Sequence, residues 1–300
     1  MNNSIVAWGL ALAAPIIWGS TYSVTQKWLV GVHPLWLAAL RTSIPALFMC
    51  WFVPISVWKR FGIRLLVMSF LNITLFTGLL FLAITRLPGG VAATLVSTLP
   101  LQVILLRMLM GIKAEPQHLI AAIGGVVGVA LLLLQSIQVP DLLGVLAALT
   151  AAFVMAVGVL TTAKYGADIP SLQLTAAQIS LGALVLLSLA LCSGEPFPLL
   201  SNEGILAMIW LGPIGMGFAY WAWFRAMTYI PITRLAFFGL LNPVVAVLAG
   251  IFLMNEKLSF GQIIGMFIVI SCILFAQKSR RRNVLEIEKS GIKPADTSTY

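Results

Sequence analysis

The chain has 300 residues, 60% of them hydrophobic and 9% charged, with a formal net charge of +9 and a mean hydropathy of +1.04. A water-soluble domain carries roughly 45–50% apolar and about 25% charged residues, so the composition excludes one. It leaves room for many membrane spans of roughly 20 residues each and little else.

Ten apolar segments follow one another, at about 5–26, 34–54, 63–85, 89–110, 117–136, 142–163, 171–193, 203–226, 231–253 and 259–277. Open sheets do not survive in lipid, and the alternation of a barrel is absent, so the segments are expected to be helices. The first has no basic stretch before it (MNNSI) and no clean small-residue cleavage site. It reads as a first span rather than a removed signal. Turn signals separate the segments at Gly31–Pro34, Lys59–Gly62, Leu87–Gly90, Val139–Asp141, Ala167–Pro170 and Gly194–Pro198. Cys50, Cys192 and Cys272 lie inside apolar segments and form no metal-ligand spacing or disulfide framework.

The positive charge has a direction. With the N-terminus cytoplasmic, Lys59, Arg60, Arg64, Arg107, Lys113, Lys164, Arg225, Arg234, Lys278 and Arg280 to Arg282 share the cytoplasmic side, and only Lys27, Arg86 and Lys257 oppose them. Both termini are therefore expected in the cytoplasm. The charge serves topology, and no nucleic-acid partner is expected. The run KSRRR reads as a stop at an anionic leaflet, and the polar tail from about Asn283 to Tyr300 is expected to be disordered.

One stretch occurs twice. Phe81 to Pro100 (FLAITRLPGGVAATLVSTLP) and Phe224 to Pro243 (FRAMTYIPITRLAFFGLLNP), offset by 143, share six of twenty residues. The offset pairs segments three, four and five with eight, nine and ten. A slightly shorter one aligns Lys27 in the first with Lys164 in the sixth. Five segments per half force the halves into opposite orientations. The fold class expected is thus an all-α integral membrane protein of ten transmembrane helices in two five-helix inverted-topology repeats, the architecture of alternating access. The repeats would cover residues 1–138 and 139–278, followed by a basic, disordered cytoplasmic tail over 279–300.

Catalytic machinery is hard to find. No GxSxG, HExxH, Walker A or CxxC motif occurs, and His33 and His118 lie in expected loops far apart. The glycines of Gly124 to Gly128 suit a helix-packing face better than a phosphate cradle. No Asp or Glu falls at the middle of a segment; Glu256, at the end of the ninth, is the nearest and reads first as a solvated loop charge. A buried carboxylate relay is therefore not expected. Arg41 lies about seven residues into the second segment, and burying it is costly unless it is paired or hydrated. It is a candidate for a water-filled pathway and for a substrate carboxylate or phosphate, whereas Arg107, Arg225 and Arg234 can snorkel to the surface.

Polar and aromatic residues gather on particular segments. They include Trp18, Thr21 and Tyr22 on the first, Asn72 and Phe76 on the third, and Thr94 and Ser97 on the fourth. Tyr220 and Trp223 lie on the eighth, Phe238 and Asn242 on the ninth. These, with Arg41, are the candidate substrate-binding residues. No catalytic residue, metal or other cofactor is expected. Asn72 and Asn242 are either interhelical glue or pathway lining. Trp221 and Trp223 also suit an interface belt, which Trp18, nearer mid-depth, does not. Pro100 and Pro243, near mid-segment, either free a carbonyl that lines a cavity or make a passive kink.

WGSTY at Trp18 to Tyr22 followed by Lys27, Pro34 and Arg41 in HPLWLAALR, Pro100, Pro243, NEKL at Asn255 to Leu258, and Gly261 and Gly265 occur in order over about residues 5–278. In these the sequence resembles the EamA branch of the drug/metabolite transporter superfamily, in the subgroup of PecM-type pigment and metabolite exporters. The resemblance implies a central cavity lined by segments 1, 3, 4, 6, 8 and 9 and export of small metabolites such as amino acids across a bacterial inner membrane. One departure is plain: the family often has a Glu after the fourth segment, and Lys113 stands at the position matching Glu256. The expected partners are a small-molecule substrate and the lipid bilayer, with a homodimer left open. Rival readings are an exchanger of phosphorylated metabolites or nucleotide sugars and a membrane sensor that binds a metabolite without moving it.

Overall fold

The computed structural model describes residues 3–87, 89–133, 141–254 and 259–277. Pro88, most of the Val139–Asp141 turn, the NEKL motif with Glu256 and Lys257, and everything after Gln277 lie outside the described residues.

A backbone in lipid must satisfy its own hydrogen bonds, and all regular structure among the described residues is helical. In chain order the α-helices are α1 (Asn3–Trp28), α2 (Pro34–Met49), α3 (Ile55–Ser69), α4 (Phe76–Arg86), α5 (Gly89–Val96), α6 (Leu99–Leu109), α7 (Pro116–Leu133), α8 (Leu142–Tyr165), α9 (Ser171–Cys192), α10 (Asn202–Ile209), α11 (Ala219–Met227), α12 (Ile232–Phe238), α13 (Leu241–Met254) and α14 (Phe260–Gln277). Among the described residues eight stretches are long and apolar enough to cross a membrane: Pro34–Phe52, Ile55–Arg86, Val91–Leu109, Leu142–Tyr165, Ser171–Cys192, Asn202–Met227, Ile232–Phe252 and Phe260–Gln277. Beside them stand α1, of 26 residues, and the shorter apolar helix Pro116–Leu131.

Four of these rods are irregular. Phe70–Leu75 and Trp210–Phe218 are π-helical turns that join α3 to α4 and α10 to α11. The helix also breaks between Val96 and Leu99 and between Phe238 and Leu241. Pro100 and Pro243 therefore sit in the first turn of a new helix, where a missing N–H forfeits no intrahelical bond.

The helix ends follow local chemistry. His33 caps α2 through Nδ1, which accepts from Leu35 N, and Ser201 caps α10 by accepting from Gly204 N. α6 ends in a Schellman turn. Gly111 adopts φ +81°, Ile112 N donates to Arg107 O, and Gly111 N donates to Met108 O. Asp141 caps α8, accepting from Gly144 N at 2.8 Å and pairing with Arg86 at 3.3 Å.

α1 packs along α13 and α11, while α8 packs along α6 and α4. α2 lies on α9, and α7 on α14. The last pair is peripheral, with only 22% of the α14 span buried. Small residues let the rods approach closely. A Cβ built on Gly19 in α1 would meet Asn242 O and Val245 Cβ of α13 at 2.6 Å. Gly124, Gly125 and Gly128 of α7 face Cys272, Leu240 and Ile268, so this run is a packing face.

Two expectations fail here. Lys59 to Gly62 is not a turn but part of α3, whose rod runs from Ile55 to Arg86. Its 32 residues make about 48 Å of helix against a hydrocarbon core of about 30 Å, so its charged start extends beyond lipid. His118 is not in a loop but in the first turn of α7, 6% exposed.

Gly19→Ala is expected to destabilise the bundle by about 1–3 kcal/mol through overpacking, read as a lower Tm in detergent. The bond from Gly144 N, followed by the Arg86 charge, holds the Asp141 carboxyl below its ordinary value near 3.8. A depressed acid contributes stability above its unfolded pKa and loses it as pH falls through the folded value. Asp141→Ala should therefore lower Tm at neutral pH and make no difference well below pH 3.8.

Candidate functional site

The irregular rods meet at the centre of the bundle. Trp18 of α1, Phe76 of α4, Val96 and Leu99 at one break, Ala152 and Met155 of α8, Trp223 of α11, and Gly239 and Asn242 at the other break enclose a cavity of about 30 Å³. That is room for a water molecule or two, not for an organic metabolite. Among the described residues no Lys, Arg, Asp, Glu or His lines it. Two lining residues carry buried polar atoms without a hydrogen-bond partner, Trp223 Nε1 and Asn242 Oδ1. A buried orphan of this kind calls for an explanation.

An aromatic wall stands beside the cavity. Trp18 lies edge-on to Tyr220, with ring centroids 4.9 Å apart, and tilted against Trp223 at 5.4 Å. Trp223 is 1% exposed, so it is not an interface-belt residue.

The π-turns supply the wall's anchoring points. A π-turn disturbs the regular i→i−4 ladder, and three backbone carbonyls in the two turns accept from side chains of other helices. Trp18 Nε1 donates to Gly215 O at 2.8 Å. Arg41 Nε donates to Leu211 O at 3.2 Å. Tyr220 Oη donates to Asn72 O at 3.2 Å.

Arg41 is 3% exposed, the only buried Lys, Arg, Asp or Glu among the described residues. Besides the Leu211 carbonyl, its guanidinium lies over Phe81, 5.6 Å from the ring centroid, with Tyr22 and Tyr220 inside its electrostatic reach. It is held by a carbonyl and a π-face and does not line the cavity.

Asn72 has a different task. Its Nδ2 donates to Thr162 Oγ1 and to Gln178 Oε1, both at 2.8 Å, while Ser69 Oγ donates to Gln178 O at 2.6 Å. This network ties the Phe70–Leu75 turn to α8 and α9.

Of the twelve candidates, the structure brings Trp18, Phe76, Trp223 and Asn242 to the cavity wall, with Tyr220 stacked behind. Thr21 and Tyr22 are buried on α1. Ser97 donates to Ala93 O at 2.7 Å, and Thr94 is half-buried. Phe238 turns away from the cavity to meet Trp8 at 5.6 Å. Five lining residues were not anticipated: Val96, Leu99, Ala152, Met155 and Gly239. The repeat contained a signal for two of them: the 143 offset carries Asn242 onto Leu99, and the Lys27/Lys164 alignment carries Trp18 onto Met155, while Val96 and Gly239 match only each other.

Known proteins resemble this chain over nearly all its length. The model of the EamA-like transporter family matches residues 6–134 and again 142–276. Protein PecM of Dickeya dadantii (strain 3937) is 34% identical over 293 residues, 93% of this chain and 96% of the relative. The uncharacterized inner membrane transporter YedA of Escherichia coli (strain K12) is 27% identical, over 89% of each chain. The uncharacterized transporter YvbV of Bacillus subtilis (strain 168) is 24% identical, over 91% of this chain and 92% of the relative. A crystal structure sharing 21% identity superposes with a TM-score of 0.74 over 92% of this chain and 98% of that one, a likeness of fold alone. With both halves of its length matching one family model, this chain belongs to the EamA-like transporter family, within the drug/metabolite transporter superfamily.

Proposed function

We propose that the chain is a secondary transporter that exports small organic metabolites, amino acids or related compounds, across a bacterial inner membrane by alternating access. The observation that carries this reading is the small cavity at the crossing of the irregular rods. It lies among helices from both halves of the chain and is too small for cargo as it stands. A metabolite can enter only if the rods move apart on one side, and can leave only if they part on the other.

Matched features support two inverted halves, residues 1–138 and 139–278. At the 143 offset, Phe70–Leu75 falls within Trp210–Phe218, and the break after Val96 falls on the break at Gly239. Packing is matched too: α1 on α13 and α11 corresponds to α8 on α6 and α4, while α2 on α9 and α7 on α14 pair expected counterparts. Five spans per half would place the halves in opposite orientations, with both termini cytoplasmic.

The wall argues for the cargo's chemistry. Its aromatic and aliphatic groups suit an apolar body, and Trp223 Nε1–H and the Asn242 amide offer a donor and an acceptor to a polar group. Arg41 supports a second reading, in which a substrate carboxylate or phosphate reaches it once the cavity opens, as an exchanger of phosphorylated metabolites requires.

Uptake into everted vesicles or proteoliposomes tests these readings. Asn242→Ala should weaken transport about tenfold with Tm unchanged. Asn72→Ala should instead cost about 1–2 kcal/mol of stability and leave the choice of cargo intact. Arg41→Gln should spare neutral cargo and abolish anion transport if the second reading holds. Tight metabolite binding without flux in any preparation would instead identify a sensor.

A further inference from the structure

Threonines inside the helices of this chain commonly settle their hydroxyls on their own backbone. Thr42, Thr85, Thr161 and Thr175 each donate to the carbonyl one turn back, at Ala38, Phe81, Val157 and Ser171. Thr21 and Thr25 of α1 do not. They are 2% and 3% exposed, and neither Oγ1 has a hydrogen-bond partner. Each carries the desolvation cost of a hydrogen bond not made.

Thr25 follows Trp18 by seven residues, about two turns, so the two share a face of α1, and Trp18 lies in the cavity wall. The repeat puts a second threonine in the same relation. The alignment of Lys27 with Lys164 carries Trp18 onto Met155 and Thr25 onto Thr162, and Met155 also lines the cavity. Thr162 is occupied. It accepts from Asn72 Nδ2, which also donates to Gln178 Oε1. The matching set in the first half is open. At the 143 offset Gly215 stands where Asn72 does, with no side chain to offer a threonine, and Arg41 stands where Gln178 does in the Lys27/Lys164 alignment. The register is kept in space: a Cβ built on Gly215 would lie 3.6 Å from Arg41 Nη2. Thr25 is the fourth residue from the end of α1 and Arg41 the eighth of α2, so both lie within about two turns of the loop that joins these helices.

We propose that Thr25 contacts cargo, donating its hydroxyl to a carboxylate that passes between the cavity and the α1–α2 end of the bundle, where Arg41 supplies the charge. This rests on the reading of the chain as a transporter. Arg41 is a cation, and among the described residues no Asp or Glu is buried, so the partner that fits this end is an acceptor. An amine without a carboxylate gains nothing from Arg41. At the other end the matched positions satisfy one another, so the contact is made on one side of the cavity only.

The test is uptake by proteoliposomes holding the full-length chain, from an equimolar mixture of amino acids and the amines that lack their carboxylates. Uptake is read by mass spectrometry, beside Tm in detergent. The wild type should move the acids in preference to the amines. Thr25→Val keeps the shape and removes the hydroxyl. It should slow the acids about tenfold with Tm at or above that of the wild type, and Thr25→Ser should restore most of the rate. Thr162→Val breaks a bond made in this structure and should lower Tm. Wild-type rates in Thr25→Val, a loss of Tm matching that of Thr162→Val, or equal movement of the amines would overturn the proposal. A wild-type chain that moves nothing in the mixture would count against the transport reading itself, and the proposal would fall with it.

Discussion

The constraint on which the structure depends is that a carbonyl released in hydrocarbon must find a donor within the protein. The π-turns at Phe70–Leu75 and Trp210–Phe218 present three carbonyls to side chains from other helices. Trp18, Arg41 and Tyr220 donate to Gly215, Leu211 and Asn72. Each of these donors sits on a different helix from its acceptor, so the bonds tie α1, α2 and α11 to the two turns. The same bonds stand Trp18 and Tyr220 edge to face, with Trp18 in the cavity wall and Tyr220 behind it.

Around this centre the rods are held mainly by close packing, because lipid supplies little apolar driving force between helices. Gly19 brings α1 onto the backbone of α13, and the Asn72–Thr162–Gln178 network ties the first π-turn to α8 and α9. The breaks before Pro100 and Pro243 contrast with this tight packing. They interrupt two rods where the cavity lies and leave Gly239 and Val96 in its wall. Firm anchoring beside broken helices suits a site whose aromatic side stays in place while the broken rods shift and widen the cavity.

Much of this was legible in the sequence, because span length and turn residues are direct consequences of the bilayer. The failures have physical causes. Lys59 to Gly62 looked like a turn because charge and glycine ended the apolar run, yet a helix continues past the lipid when its outer turns meet water. His118 lies at the edge of the fifth apolar segment, where a loop and a first helical turn look alike in sequence, and Pro116 is the first residue of α7. FLNITL announces no π-turn, since that geometry answers to packing more than to residue type. Arg41 was recognisable as a buried charge, but its partners, a carbonyl and a ring, leave no mark in a search for acids. Asn72 and Asn242 looked alike, and only the structure separates a helix tie from a lining residue. Met155 and Leu99 carry no polar or aromatic mark of their own, and only the repeat aligns them with Trp18 and Asn242.

The central claim is that the cavity at Asn242 opens alternately to the two sides of the membrane. Its most direct test is thiol accessibility of Asn242→Cys in a chain with Cys50, Cys192 and Cys272 replaced by serine, reconstituted in one orientation. The account predicts that a membrane-impermeant thiol reagent labels the new cysteine from either side, and that a transported metabolite slows labelling from both. Labelling from one side only, unchanged by every metabolite, would contradict it.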